Sequence, residues 1–220
     1  MQSRGIKGIQ ALLLAPAPGF WCRGAGRSGQ LVRVEVQHEL GPPATAEELA
    51  ALREATGESF CSLESFYSRW NGACLFVEAG DSEYLLEVYS IGRIPLERDG
   101  MSSWMEMAEE HGWSREEVAS VLDSVAIGQP PSSPDQLVVK PGGEHVGKVL
   151  QFDHETLRLD ERAASVEAFL RRLAADPARL NYDLGCMCRY KGDIQAIPYF
   201  YAPDIRQFEE PPPIPDWFTG

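Results

Sequence analysis

Ser62 to Phe76 reads SLESFYSRWNGACLF, and this stretch decides the fold. Leu63, Phe66, Tyr67 and Trp70 fall at i, i+3, i+4 and i+7, the spacing of one buried helix face. Asn71-Gly72 then stops the helix, because Asn and Gly enter the left-handed backbone region at low cost. Ala73 to Val77 follow at once as a short apolar strand. A helix ending in WNG and turning directly into a strand is a folding unit with no catalytic group in it. Trp70 completes the apolar face and reads as core, while Asn71 and Gly72 read as backbone devices.

Upstream, Leu31 to Val36 (LVRVEV) alternates as a strand does. Gly41-Pro42-Pro43 is a hinge, and Thr45-Ala46-Glu47-Glu48 opens a helix with a capping box that Gly57 closes. Downstream, Ala73–Glu78 and Tyr84–Ser90 read as two strands joined across Ala79-Gly80-Asp81-Ser82 in a hairpin. Ser103-Trp104-Met105-Glu106 caps a helix that stops at Gly112. Ser114-Arg115-Glu116-Glu117 caps another, with Val118, Val121, Leu122 and Val125 on one face. Val125 to Gly128, Gln136 to Lys140 and Lys148 to Asp153 are short β-rich runs, the last two separated by a Pro141-Gly142-Gly143 turn. Ser165 starts a helix with Val166, Phe169, Leu170 and Leu173 inward, ending near Asp176-Pro177. A helical turn in ARLNY follows, Gln195 to Tyr201 adds an edge strand, and Glu209 to Pro215 is Pro-rich and extended.

Strand neighbours are mostly joined by tight turns, and helices and strands come in separate blocks. This predicts a single α+β domain with a mixed, largely antiparallel sheet covered by helices, and argues against a doubly wound parallel sheet. The domain is expected to span 31–205, after a loosely structured basic arm over 1–30 and before a Pro-rich tail over 206–220.

With 220 residues and 44% hydrophobic content the chain can bury a full core without metals or disulfides. Its formal charge is -13, unevenly spread. The first 33 residues hold Arg4, Lys7, Arg23, Arg27 and Arg33 and no acid, which leaves 15 basic against 33 acidic residues after them, a formal charge of -18. A body that acidic repels phosphate backbones, so direct nucleic-acid binding is not expected. It attracts basic partners and speeds their encounter. Cysteines at 22, 61, 74, 186 and 188 form no secreted disulfide framework and fit a reducing cytoplasm. No run reaches the length of a membrane span. The first residues imitate a signal peptide, with Arg4 and Lys7 before IQALLLA, but Pro16 and Pro18 break the apolar run. They read as an arm, or as the product of a start codon placed too early, rather than an export signal.

Candidate chemistry is sparse. Gly24-Ala25-Gly26-Arg27-Ser28-Gly29 matches G-x-G-x-x-G, but the residues after it, QLVRVEV, are strand-like, so no helix N-terminus would meet a pyrophosphate. Asp153-His154-Glu155 is the most tempting polar cluster, a His between two carboxylates. Adjacent residues at a strand end point apart, however, and His38, His111 and His145 have no ligand-like spacing to it. The cluster is expected to end the strand, bond a neighbouring loop and offer recognition groups, rather than to catalyse or hold a metal. Cys186-Met187-Cys188 is C-x-C with no second pair to complete four ligands, which argues against a zinc site. Glu106, Glu109 and Glu110 recur at i, i+3 and i+4 as a negative stripe opposite Trp104, Met107 and Ala108. The expected partner-binding residues are therefore Glu106, Glu109, Glu110, Asp153, His154 and Glu155, with no catalytic, cofactor or metal site.

The order WNG-strand, hairpin, GKVLQFDHE and SVEAFLRRLAADPARL resembles the SUKH superfamily, proteins similar to the yeast Smi/Knr cell-wall regulators. The features that carry it are Trp70-Asn71-Gly72, the run from Gly147 to Asp153, Ser165 to Leu170 in the form S-x-E-x-F-L, and Gly192-Asp193 after Tyr190-Lys191. The resemblance covers roughly residues 40 to 193, and together order and spacing carry it. The basic arm has no counterpart in the family, and the usual Leu-Pro step between the first two helices is Glu58-Ser59-Phe60-Cys61 here. The resemblance implies an α+β fold, no enzymatic activity and no cofactor. It also implies an immunity protein that binds and neutralises a toxin domain, often a nuclease. The alternative it leaves is a cytoplasmic regulatory or scaffolding module unrelated to toxins.

Overall fold

The structure is a computed structural model that describes residues 20–25, 30–78, 86–108, 112–130, 133–175, 180, 183–184 and 200–202. Their elements are β1 (Phe20–Ala25), β2 (Gln30–Leu40), α1 (Ala46–Thr56), a 3-10 turn (Gly57–Ser59), α2 (Phe60–Tyr67), β3 (Ala73–Glu78), β4 (Leu86–Val88), α3 (Ile94–Ala108), α4 (Arg115–Leu122), β5 (Val125–Gln129), β6 (Gln136–Val139), β7 (Val149–Asp153), β8 (Arg158–Ala163), α5 (Val166–Ala175) and β9 (Phe200–Ala202). The nine strands form one sheet in the order β8-β7-β6-β5-β4-β3-β2-β1-β9. Every ladder is antiparallel, and the one parallel pairing among the described residues is an isolated bridge between Lys140 and Val146. The chain is thus a single α+β domain with an antiparallel sheet and helices packed on it, as the turn spacing predicts. Helix α3 lies on β5 and against α4, and α5 lies on β8 and against α2.

Between sheet and helices Tyr67, Leu75, Leu86, Tyr89, Met105, Phe152 and Leu173 are almost wholly buried. The WNG unit joins the two layers. Helix α2 stops at Tyr67, and one further turn carries Trp70 back onto the core, where its ring centroid lies 5.5 Å from that of Phe66. The Asn71 side chain then ties three segments together. Its Nδ2 donates to Glu48 Oε1 of α1 at 2.7 Å and its Oδ1 accepts from Ile91 N at 2.8 Å, while its backbone N–H donates to Pro42 O at 2.6 Å. Gly72 has a φ of +89°, and a Cβ there would lie 2.7 Å from Ser90 N. The chain can make this turn only with glycine.

Three elements differ from the sequence reading. The segment read as a loosely structured arm contains β1, which pairs with β2 from Phe20↔Glu35 to Ala25↔Gln30. Its FWCRGA run has strand-forming residues at its start, and the glycines that follow it masked them in the sequence. Residues 1–19 and 26–29 lie outside the described residues, but the Gly-rich motif is followed by β2 and not by a helix. Helix α3 begins at Ile94, nine residues before Ser103. Pro95 suits the first turn of a helix, where its missing N–H is no loss, and Gly100 sits within the helix instead of breaking it. Ser102 and Ser103 do not cap it, and their hydroxyls bond back to Arg98 O and Asp99 O. Strand β8 (RLDERA) was not anticipated, because a charged edge strand lacks the apolar signature of a buried one.

Strand β3 carries a bulge. Its register with β2 slips between Gln37↔Val77 and Glu39↔Cys74, so Leu75 and Phe76 together oppose His38. Phe76 takes a φ of +59°, its N–H donates to His38 Nδ1 at 3.2 Å, and the two rings meet edge to face at 4.6 Å. No helix among the described residues is long and apolar enough to cross a membrane.

Candidate functional site

The β6–β7 register pairs Gln136 with Phe152, so Asp135, one residue before β6, faces Asp153 at the end of β7. Asp135 is 9% exposed. Its Oδ1 accepts from His154 N at 3.1 Å and lies 2.5 Å from His154 Nδ1, while its Oδ2 accepts from Gln151 Nε2 at 2.7 Å. Gln151 is buried; its Nε2 also donates to Leu184 O at 3.1 Å, and its Oε1 accepts from Arg162 Nε at 2.7 Å. Asp153 turns the chain, its Oδ1 accepting from Glu155 N at 2.8 Å and Thr156 N at 3.0 Å. The Trp104 ring of α3 meets the His154 ring edge to face, with centroids 5.4 Å apart. Asp135, Asp153 and His154 each offer one donor atom, and these atoms lie within 4.8 Å of one another.

This arrangement corrects one expectation. The side chains of Asp153 and His154 do not point apart, and both turn toward Asp135. The sequence reading missed Asp135 because Ser133-Pro134-Asp135 looks like an ordinary turn. The one signal that could have found it is the hairpin register across residues 141–147, counted residue by residue.

The remaining candidates fall elsewhere. Glu155 is exposed at the tip of the β7–β8 turn. Glu106 is exposed on α3, two residues and so about 200° around the helix from Trp104. It faces solvent on the side away from His154. Glu109 and Glu110 lie outside the described residues. The structure therefore brings Asp153 and His154 together with Asp135 and leaves Glu106 apart.

Beside Trp104 a pocket of about 230 Å³ is lined by Glu97, Gly100, Met101, Gln129, Pro134 and Gln136. Tyr89 Oη lies 2.6 Å from Gln136 Oε1 and 2.8 Å from Gln129 Oε1, and its single proton serves one of them at a time. Burial pushes the Tyr89 hydroxyl pKa far up, so it remains a neutral donor. Arg93 lies over the Tyr89 ring at 4.4 Å and bridges Glu87 and Glu97, which locks this side of the pocket.

At the other end of β6 a second concavity opens between α4 and the loop 140–145. It measures about 770 Å³, and the carboxylates of Glu116, Asp123 and Glu144 line it together with Ser120, Lys140 and His145. All three acids are exposed. Lys140 is 6% exposed, and its ammonium donates to the Ser120 carbonyl. Burial lowers its pKa, against the pull of Asp123. The floor is fixed from below. Ser59 Oγ donates to Lys140 O at 2.6 Å and accepts from Gly147 N at 2.9 Å, and Glu58 N donates to Pro141 O at 2.9 Å. Gly147 holds a φ of +76°, the left-handed value that lets the loop return to β7. The sequence reading placed Gly147 in a family motif; its contact with Ser59 links the 3-10 turn to this cleft.

No protein-family model matches the chain, and no curated protein matches it.

Proposed function

We propose that the protein is a non-enzymatic binding domain of the immunity type, which neutralises a basic toxin domain by covering its surface. The observation that carries this reading is the cleft between α4 and the 140–145 loop, where three exposed carboxylates face one opening. Lys140, the cation in that cleft, is turned into the fold and spent on a backbone carbonyl, so the opening presents net negative potential. Such a surface steers a cationic partner and fixes its register more than it adds raw affinity. The -18 charge after residue 33 and the likeness of the WNG, GKVLQFDHE and SVEAFL segments to the SUKH superfamily support the same reading. The exposed candidates Glu106 and Glu155 add acidic groups elsewhere on the surface, Glu155 at the opposite end of β6 from the cleft. Inhibition is then occlusion, acts in the cytoplasm and needs no cofactor.

The test is co-expression with the toxin encoded beside the gene. The chain is expected to restore growth and to co-elute with the toxin on gel filtration, with affinity that weakens as salt rises. Reversing charge with Glu116→Lys and Glu144→Lys is expected to abolish protection while the melting temperature holds. A toxin that kills regardless and forms no complex refutes the reading.

A further inference from the structure

We propose that Asp135, Asp153 and His154 bind a divalent first-row transition-metal ion that staples the loop before β6 to the β7–β8 turn. This inference does not rest on the binding reading above.

The donors come from two segments, the residue before β6 and the end of β7, which the hairpin register brings together, and they converge within 4.8 Å. They are well shielded, with side-chain exposures of 12% for Asp135 and 13% for His154. Two like-charged carboxylates share this small space and repel each other. Among the described residues neither has an ion pair with Lys or Arg: Arg158 stands opposite Asp153 in the β7–β8 register without a salt bridge to it, Arg162 is engaged by Gln151 Oε1 and Asp160, and the partner of Asp135 is His154 itself. A cation between them offsets this repulsion.

The surrounding groups aim the donors as metal sites require. Buried Gln151 holds Asp135 Oδ2, itself held by Arg162, and this turns Oδ1 toward His154. Two backbone N–H groups hold Asp153 Oδ1 and leave Oδ2 available. Trp104 walls the His154 side from solvent. Binding opens the His154–Asp135 pair from 2.5 Å toward about 3.3 Å, the spacing of neighbouring ligands around tetrahedral zinc. The His154 backbone N–H keeps its bond to Asp135 throughout. One imidazole and two carboxylates suit zinc, cobalt or manganese better than magnesium or calcium, which prefer all-oxygen cages. Three protein ligands leave a position for water.

The test uses the whole chain, stripped with chelator and titrated with Zn²⁺ by calorimetry and with Co²⁺ by visible absorption. One ion per chain is expected, with Co²⁺ bands of nitrogen–oxygen ligation and a melting temperature raised by the metal. His154→Gln and Asp153→Asn are expected to weaken binding at least tenfold. Both variants are checked by far-ultraviolet circular dichroism and by their melting temperature without metal. Cys186→Ser with Cys188→Ser is expected to leave the affinity unchanged. No heat and no absorption band in the stripped wild-type chain overturns the proposal. So does binding that survives His154→Gln, or that disappears in the double cysteine variant.

Discussion

Replacing Gly72 with Ala should destabilise the domain more than the same change at any other left-handed glycine with open surroundings, and three glycines separate the causes. Gly112 has a φ of +87° with nothing within 4 Å of an added Cβ, so Gly112→Ala reports backbone conformation alone. The left-handed penalty of about 1–2 kcal/mol, reduced by about 0.4–1 kcal/mol of lost unfolded-state entropy, leaves a net cost of about 1 kcal/mol. Gly128 has an ordinary φ, but its Cβ would lie 2.3 Å from Glu87 O across the β4–β5 ladder. Gly128→Ala therefore reports overpacking against backbone, about 1–3 kcal/mol. Gly72 combines the two, with a φ of +89° and a Cβ 2.7 Å from Ser90 N and 3.0 Å from Ser90 Cα. Its neighbours are backbone atoms held by the Asn71–Ile91 hydrogen bond and cannot swing away. The expected cost of Gly72→Ala is about 2–4 kcal/mol, a fall in melting temperature of roughly 5–15 °C for a domain of this size. Gly72→Val should cost more still. Urea unfolding of the three variants, with slopes matched to the parent, gives the free energies directly. A Gly72→Ala cost no larger than that of Gly112→Ala would show that the joint relaxes, and an unchanged midpoint would refute the left-handed turn itself.

Two further changes test features around that joint. Burial lowers the His38 pKa from 6.5 to about 4, because a ring withdrawn from water disfavours its charged form. The unfolded chain then binds a proton that the folded one refuses, so stability is full above pH 6.5 and falls as the pH drops toward about 4. The shift is worth at most about 3 kcal/mol, and partial exposure of the ring brings it nearer 1–2 kcal/mol. His38→Gln should flatten this part of the stability curve relative to the parent, and parallel curves would show that His38 is not the titrating group. Asn71→Ala removes the side-chain bonds to Glu48 and Ile91 and strands the Ile91 N–H, at an expected cost of about 2–3 kcal/mol in urea unfolding. A cost under about 0.5 kcal/mol would mean that water replaces both partners.

What was legible in the sequence is what local chemistry fixes. Thr45 and Ser114 form the two capping boxes as read, with Glu48 N to Thr45 Oγ1 and Glu117 N to Ser114 Oγ both at 3.2 Å. The WNG turn and the apolar faces of α2 and α5 follow from spacing alone. The start of α3 did not, because Pro95 and Gly100 carry opposite meanings at a helix end and within a helix. Strand β8 was hidden because most of its charged side chains are exposed at the sheet edge. The candidate cluster was half legible. Asp153 and His154 stood out as a polar pair, but Asp135 lies in another segment, and only strand register brings it to them. The bulge at Phe76 has no local signature either, since a phenylalanine in a left-handed conformation is held there by its cross-strand histidine.

From β1 to β8 each strand lies beside its predecessor along the chain. Most contacts in the sheet therefore close short spans, while β2–β3 and β4–β5 close longer ones across pairs of helices, and the closure entropy grows only slowly with that length. Such a sheet can grow strand by strand, which favours a folding rate nearer that of mixed α/β domains than of Greek-key sandwiches. The exception is β9, which returns to β1 from far later in the chain. That pairing has the highest contact order in the sheet, and docking of β9 is the step expected to set the pace of completion.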